Sequence, residues 1–335
     1  MSIKEIVKSS ILFSIDIILM AIISLSFYLT LSVNTLQVIE IPKGSTKSII
    51  TYLNKNGYDM NNLDYYLIRY LGYPQSGWID LKATHMTRGD FYRKLTTSKA
   101  ALKKVTLIPG ETYVFFLQQL AKKFNLSYDT LLHHYNQYKT KEDGNILAES
   151  YSLPRGMDEE RLILYLINYT KKQYKQYSYK IFGSYDEQRW YNYIIIASII
   201  EQEAANKQEM PIVSSVIHNR LKKKMPLQMD GTLNYGKYSH EKITPARLKN
   251  DKSSYNTYLN VGLPKNPICS VSLNSIKAAV FPVKSDYLYF MRNKKTGTHD
   301  FTKSYRSHLN NINKAKRAPK SVTKPDTVKS LFNKI

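Results

Sequence analysis

Acidic side chains are scarce: 26 Asp and Glu stand against 49 Lys and Arg in 335 residues, a formal charge of +23. Such an excess favours an anionic partner such as acidic lipid, a polyanionic polymer or nucleic acid. The basic residues are scattered among tyrosines rather than gathered in one arm, and no nucleic-acid signature motif occurs, so nucleic acid is not expected as a partner. Cysteine is reduced to Cys269, which excludes an internal disulfide framework and a multi-cysteine metal site. It does not exclude a compartment outside the cytoplasm, because a chain of this length buries a core that needs no staple. No glycine-rich phosphate loop, His-Glu-x-x-His zinc motif or Gly-x-Ser-x-Gly nucleophile turn is present.

Charge is also missing from a long stretch near the start. From Ser9 to Ile39 the only charged side chain is Asp16. The apolar run that follows Asp16 is long enough to span a bilayer core of about 30 Å at ~1.5 Å per residue. Lys4 and Lys8 precede it, which places the N-terminus in the cytoplasm by the positive-inside rule. A cleaved signal peptide would have a shorter apolar core and a small-residue cleavage site. The expectation is a cytoplasmic N-terminus over 1–8, one transmembrane helix over 9–36 with Asp16 at the interface, and the remainder outside the cytoplasm.

Beyond the span the sequence nearly repeats itself. VIEIPKGSTKSIITYL at Val38–Leu53 and VTLIPGETYVFFLQQLA at Val105–Ala121 each read as a short strand, a proline-bearing turn and an apolar helix. Ser45 or Thr46 in the first and Thr112 in the second are the candidate N-caps. Between them the pattern predicts a helix over Leu63–Leu71 ended by Gly72, a strand over Trp78–Leu81 and a helix over Gly89–Leu95. The order strand, helix, helix, strand suits a small α+β module over 37–103. A larger mixed domain over 104–320 and a basic tail over 321–335 complete the reading, and the fold class is α+β.

The stretch Tyr191–Gly236 carries the chemistry. Its apolar segment ends directly in Glu201 and Glu203. At about 3.6 residues per turn Glu201 shares a face with Ile194, Ala197 and Ser198, and Glu203 one with Ile196, Ile199 and Ile200. A carboxyl held against apolar side chains is poorly solvated and keeps its proton to higher pH, as a general acid must. Spacing alone favours the plainer reading, in which both glutamates sit where an amphipathic helix surfaces and one is simply solvated.

The runs ASIIEQEA and HNRLKKKMPLQMDGTLNYG, then YNTY at Tyr255–Tyr258, GLP at Gly262–Pro264, SLNSIKAAVFP at Ser272–Pro282, YLYF at Tyr287–Phe290, HDF at His299–Phe301 and SHLNNI at Ser307–Ile312 together resemble the YceG-like family of endolytic murein transglycosylases. The resemblance implies a LysM-like module over 37–103, whose counterparts elsewhere bind glycan; here the module either binds glycan or only spaces the catalytic domain. It implies a catalytic acid at Glu201. Arg220 and Gln228 are expected either to hydrogen-bond the sugar or to pin the fold. Asp230 is expected near the oxocarbenium-like charge, although Gly231 replaces the family's proline and loosens that turn. Tyr235, Tyr255, Asn256 and Tyr258 have the chemistry of a sugar cleft. His299 and His308 are expected to be structural or substrate-orienting, with no metal bound. The family's pattern is also lost at Ser150 and after Pro154.

The implied reaction is cleavage of the N-acetylmuramic acid–N-acetylglucosamine bond. Attack by the muramyl C6 hydroxyl leaves a 1,6-anhydro end without metal or organic cofactor. The implied partners are peptidoglycan glycan strands, the cell inner membrane through one helix, with the catalytic domain in the periplasm, and a peptidoglycan synthase by resemblance only. Two alternatives stay open: a muramidase-type hydrolase using Glu201 and Asp230, and a non-catalytic glycan-binding scaffold.

Overall fold

The computed structural model describes residues 3–99 and 101–317. The basic tail expected over 321–335 lies outside them. The chain divides into two compact units. One runs to Val105 and takes in Lys123–Leu126 and Ser150–Leu162; the other holds Thr106–Lys122, Ser127–Glu149 and the described residues from Ile163 on.

The first unit begins with α1 (Ile3–Thr30), followed by β1 (Ser32–Asn34), β2 (Val38–Ile41), α2 (Thr46–Lys55), α3 (Asn62–Leu71), β3 (Gly77–Asp80), β4 (His85–Thr87), α4 (Arg88–Thr97) and β5 (Leu102–Thr106). The second contains α5 (Tyr113–Phe124), α6 (Tyr128–Tyr138), α7 (Glu159–Phe182), α8 (Glu187–Glu203), α9 (Met210–Lys222), α10 (Pro245–Asn250), α11 (Leu273–Val280), β7 (Tyr289–Arg292), β8 (His299–Thr302) and α12 (Tyr305–Arg317); β6 (Ser150–Pro154) returns to pair with β5. Among the described residues all sheets are two-stranded ribbons, and β1–β4, β2–β3 and β7–β8 are antiparallel. The molecule is thus of mixed α+β class.

Residues Ile6–Thr30 form a helix long and apolar enough to cross a membrane by length and composition. It ends before the boundary read at residue 36, because Ser32–Asn34 is drawn into pairing with His85–Thr87. The helix is joined to the rest of its unit by side chains. Tyr28 donates its hydroxyl proton to Asp64 (2.6 Å) and accepts from the Asn61 amide (2.9 Å). Arg88 also donates to the Tyr28 hydroxyl, and Tyr92 donates to Asp64. Asp64 is fully buried and closes a capping box with Asn61 at the start of α3. Ile39 and Ile41 of β2, Ile49 and Leu53 of α2, Ile68 of α3, and Phe91 and Leu95 of α4 supply the surrounding core.

In the second unit α8 is the central element. Ile194–Ile200 are buried on every side, as a helix apolar all round must be. α9 and α11 pack against it, bringing Val213, Ile217 and Ile276 into one core with Trp190 and Ile199. Asp186 caps its N-terminus by accepting from the Arg189 N–H. Its C-terminus is where the two glutamates emerge.

Candidate active site

α8 stops at Glu203, with Ala204 as C-cap. Helix carbonyls leave partial negative charge at that end, which disfavours an ionised carboxylate nearby. The two glutamates then diverge. Glu201 accepts the backbone N–H of Ser272 at 2.8 Å, and Ser272 is the N-cap of α11. Glu201 therefore ties α8 to α11. Glu203 turns into an open cleft of about 430 Å³ lined also by Arg220, Gln228, Asp230, Tyr258 and His299.

Burial pushes the Glu203 carboxyl up to about 7, against the opposing pull of the Gly231 N–H, with the nearby Asp230 charge adding to the rise. The Gly231 N–H meets Glu203 Oε1 at 2.8 Å. The position is tight rather than loose: a Cβ on Gly231 would lie 2.6 Å from Gln202 Cβ and 2.9 Å from Glu203 Oε1. Gly231 belongs to a 3-10 turn over Asp230–Leu233 that packs beside α8. The absence of a side chain is what lets the main chain reach the carboxyl.

The other sequence candidates separate into two groups. Asp230 is exposed at the cleft rim and accepts from the Tyr258 hydroxyl at 2.5 Å. Burial, then Asp230, push the Tyr258 phenol well above its usual value, so it remains a donor. Gln228 lines the same cleft at φ +50°, a left-handed backbone that costs roughly 1–2 kcal/mol outside glycine. Its N–H is held by Thr257 O at 3.1 Å. Arg220 is 7% exposed and spends its guanidinium on carbonyls, Nε on Leu288 at 2.7 Å and Nη1 on Leu227 at 2.6 Å. Of its two expected roles, pinning the fold is the one its hydrogen bonds serve.

Tyr235 and Tyr255 stack on each other, with centroids 4.1 Å apart, beside a different cavity that Asp143 and Pro267 also line. Asn256 is fully buried. Its amide donates to the Leu248 and Asp251 carbonyls and its oxygen accepts from the Tyr258 N–H. It shapes the loop that presents Tyr258 and offers nothing to a sugar. His299 lines the Glu203 cleft, with its ring bound to Glu209. His308 lies there too, stacked on Tyr289, and burial lowers its pKa. Glu209 has no motif of its own in the sequence beyond its place just before Met210–Pro211, a helix start. Among the described residues no group of three or more His, Cys, Asp or Glu could hold a metal ion.

Comparison with known proteins identifies the family of the chain. An endolytic murein transglycosylase of Bacillus subtilis (strain 168) is 44% identical over 124 residues, covering 37% of this chain and 33% of that protein. One from Streptococcus pneumoniae serotype 2 (strain D39) is 27% identical over 276 residues, covering 80% of this chain and 48% of that protein. The chain thus spans half the length or less of these curated relatives. The crystal structure of a yceG-like protein of Listeria monocytogenes superposes with a TM-score of 0.52 at 24% identity, over 84% of this chain and 99% of that one, a likeness of fold. The profile of the YceG-like family matches residues 39–314. With most of its length covered by that match, the chain belongs to the YceG-like family.

Proposed function

We propose that the chain is a membrane-anchored lytic transglycosylase that cuts peptidoglycan glycan strands internally, and that Glu203 is its proton donor. The observation that carries this is the Glu203 carboxyl, half-buried in the cleft and raised to about 7. A group titrating there holds its proton at neutral pH and can still release it. The names of the Bacillus and Streptococcus relatives supply the substrate class.

In this reaction Glu203 protonates the glycosidic oxygen between N-acetylmuramic acid and N-acetylglucosamine. The muramyl C6 hydroxyl attacks its own C1, and the product ends in a 1,6-anhydro sugar. The attack is intramolecular, so little entropy is lost in bringing the nucleophile up. Asp230, with the Tyr258 hydroxyl on it, provides negative charge at the rim, where an oxocarbenium-like centre would form. Glu201, the acid implied by family resemblance, is the competing assignment. Its tie to Ser272 suits a structural role. Helix α1 is the membrane anchor, and the active domain lies outside the cytoplasm.

The test is mass spectrometry of fragments released from purified peptidoglycan by the full chain in detergent micelles. Internal fragments with 1,6-anhydro ends are expected. They should fall by at least about 10²-fold with Glu203→Gln and persist with Glu201→Gln. The opposite pattern would return the acid to Glu201. Reducing ends would instead mark a hydrolase in which Asp230, the second carboxylate of the cleft, activates water.

A further inference from the structure

Glu209 is 6% exposed and receives three hydrogen bonds. The His299 backbone N–H reaches Oε1 at 2.6 Å, while the His299 ring Nδ1 and the Ala205 N–H reach Oε2 at 2.7 and 3.1 Å. Burial alone would raise the Glu209 pKa, but the hydrogen bonds from His299 and Ala205 outweigh it and hold the carboxyl below its usual range. It is therefore ionised at neutral pH and can only accept. Nδ1 must then carry the hydrogen, which leaves Nε2 of a neutral ring with its lone pair free. Phe290, edge-on at 5.3 Å and 83°, and Phe301 at 6.2 Å fix the ring plane. His299 borders the cleft that holds Glu203, and no hydrogen bond among the described residues engages its Nε2.

We propose that His299, oriented by Glu209, is the base that takes the proton of the attacking C6 hydroxyl, while Glu203 serves only as the acid. This rests on the transglycosylase reading. As the C1–oxygen bond breaks, Glu203 gives its proton to the leaving oxygen. The C6 oxygen bonds to C1 and its proton passes to His299 Nε2. Glu203 ends ionised and His299 protonated, and exchange with water restores both. Dividing the work means that neither group has to lose one proton and collect another within a single displacement. The charged and titratable groups around the ring are Glu209 behind it, Arg292 opposite on β7, and Glu203, Asp230, Arg220, His308 and the phenols of Tyr258, Tyr289 and Tyr305 along the cleft. Of these Glu209 alone is bonded to the imidazole.

Two measurements on the full chain in micelles decide the matter. Nitrogen-15 spectra of the imidazoles at pH about 8 should show His299 protonated at Nδ1 and bare at Nε2; the reverse tautomer overturns the proposal. His299→Asn keeps a donor for Glu209 but has no basic nitrogen. It should leave the melting midpoint unchanged, lower glycan cleavage about 10²–10³-fold, erase the acidic limb of the pH profile, and regain activity with added imidazole. Glu209→Gln, which acts through the ring, should lower kcat with little change in KM. A His299→Asn chain within about threefold of the parent, or one inactive with an unaltered pH limb and no imidazole rescue, refutes the base. A parent chain that cuts no glycan refutes the reaction itself, and with it the base, whatever the tautomer spectrum shows.

Discussion

At the C-terminus of α8, Glu201 and Glu203 accept N–H groups from different elements, Ser272 and Gly231, each at 2.8 Å. Apolar periodicity put both on buried faces, and a one-residue gap leaves each face plausible for an acid. What separates them is the chain that arrives from elsewhere, the α11 cap on one side and an open cleft on the other, and no local pattern encodes that. Asn256 was legible as part of the YNTY run that carries the family resemblance, yet its amide is consumed by the loop's own carbonyls. The raised pKa of Glu203 has a thermodynamic counterpart. The folded chain prefers the protonated form, so this contribution to stability is full below the ordinary value of 4.5 and declines as pH rises toward about 7. Glu203→Gln should therefore melt like the parent at pH about 4 but be more stable at pH about 8. We expect ~1–2 kcal/mol, discounted because Glu203 keeps some exposure to solvent in the open cleft. Gly231→Ala forces a Cβ to 2.6 Å from Gln202 Cβ. The shift should cost about 1–3 kcal/mol and, by displacing the donor from Glu203, slow cleavage by roughly 10–100-fold. Thermal melting and the glycan assay read both.

At the level of elements, the first unit was the more legible. The β2–turn–α2 pattern and its Ser45 cap appear as expected, with the Ser48 N–H on Ser45 Oγ at 3.2 Å, and α3 ends at Gly72. The second copy of the pattern departs in one respect. Thr112 donates to the Gly236 carbonyl, and Asp143 accepts the Tyr113 N–H that begins α5. A cap supplied from 30 residues away in sequence cannot be seen in a window of local residues. The cleft-forming ribbon β7–β8 was hidden for the same reason, because its strands are four residues each and are read only through their partners. In the first unit the buried Asp64 anchors α3 against α4, with Arg88 Nη1 3.6 Å away. Asp64→Ala would leave the buried Arg88 side chain without its buried partner. A loss of about 3–5 kcal/mol is expected, visible as faster hydrogen exchange of α3 and α4 amides while those of α8 are unchanged.

For the whole molecule, charge and anchorage matter most. The +23 net charge includes Lys171, Lys172, Lys175 and Lys180 along α7. Attraction of this kind is screened: the Debye length shrinks from about 10 Å at 0.1 M salt to about 3 Å at 1 M. Sedimentation with purified peptidoglycan or with vesicles rich in anionic lipid should weaken severalfold over that range; binding indifferent to salt would leave the charge without this role. Anchorage returns to Tyr28. Its hydroxyl is held among Asp64, Asn61 and Arg88, and the Leu31 carbonyl accepts the Arg88 N–H at 2.8 Å. No slack chain therefore separates α1 from the rest of the first unit. With α1 as the proposed anchor, a pull on the rest of that unit reaches the helix within a turn, and a twist of the helix turns the remainder with it. A fixture of this kind behaves as a rigid post rather than a tether, and it confines the height above the bilayer at which the first unit can work.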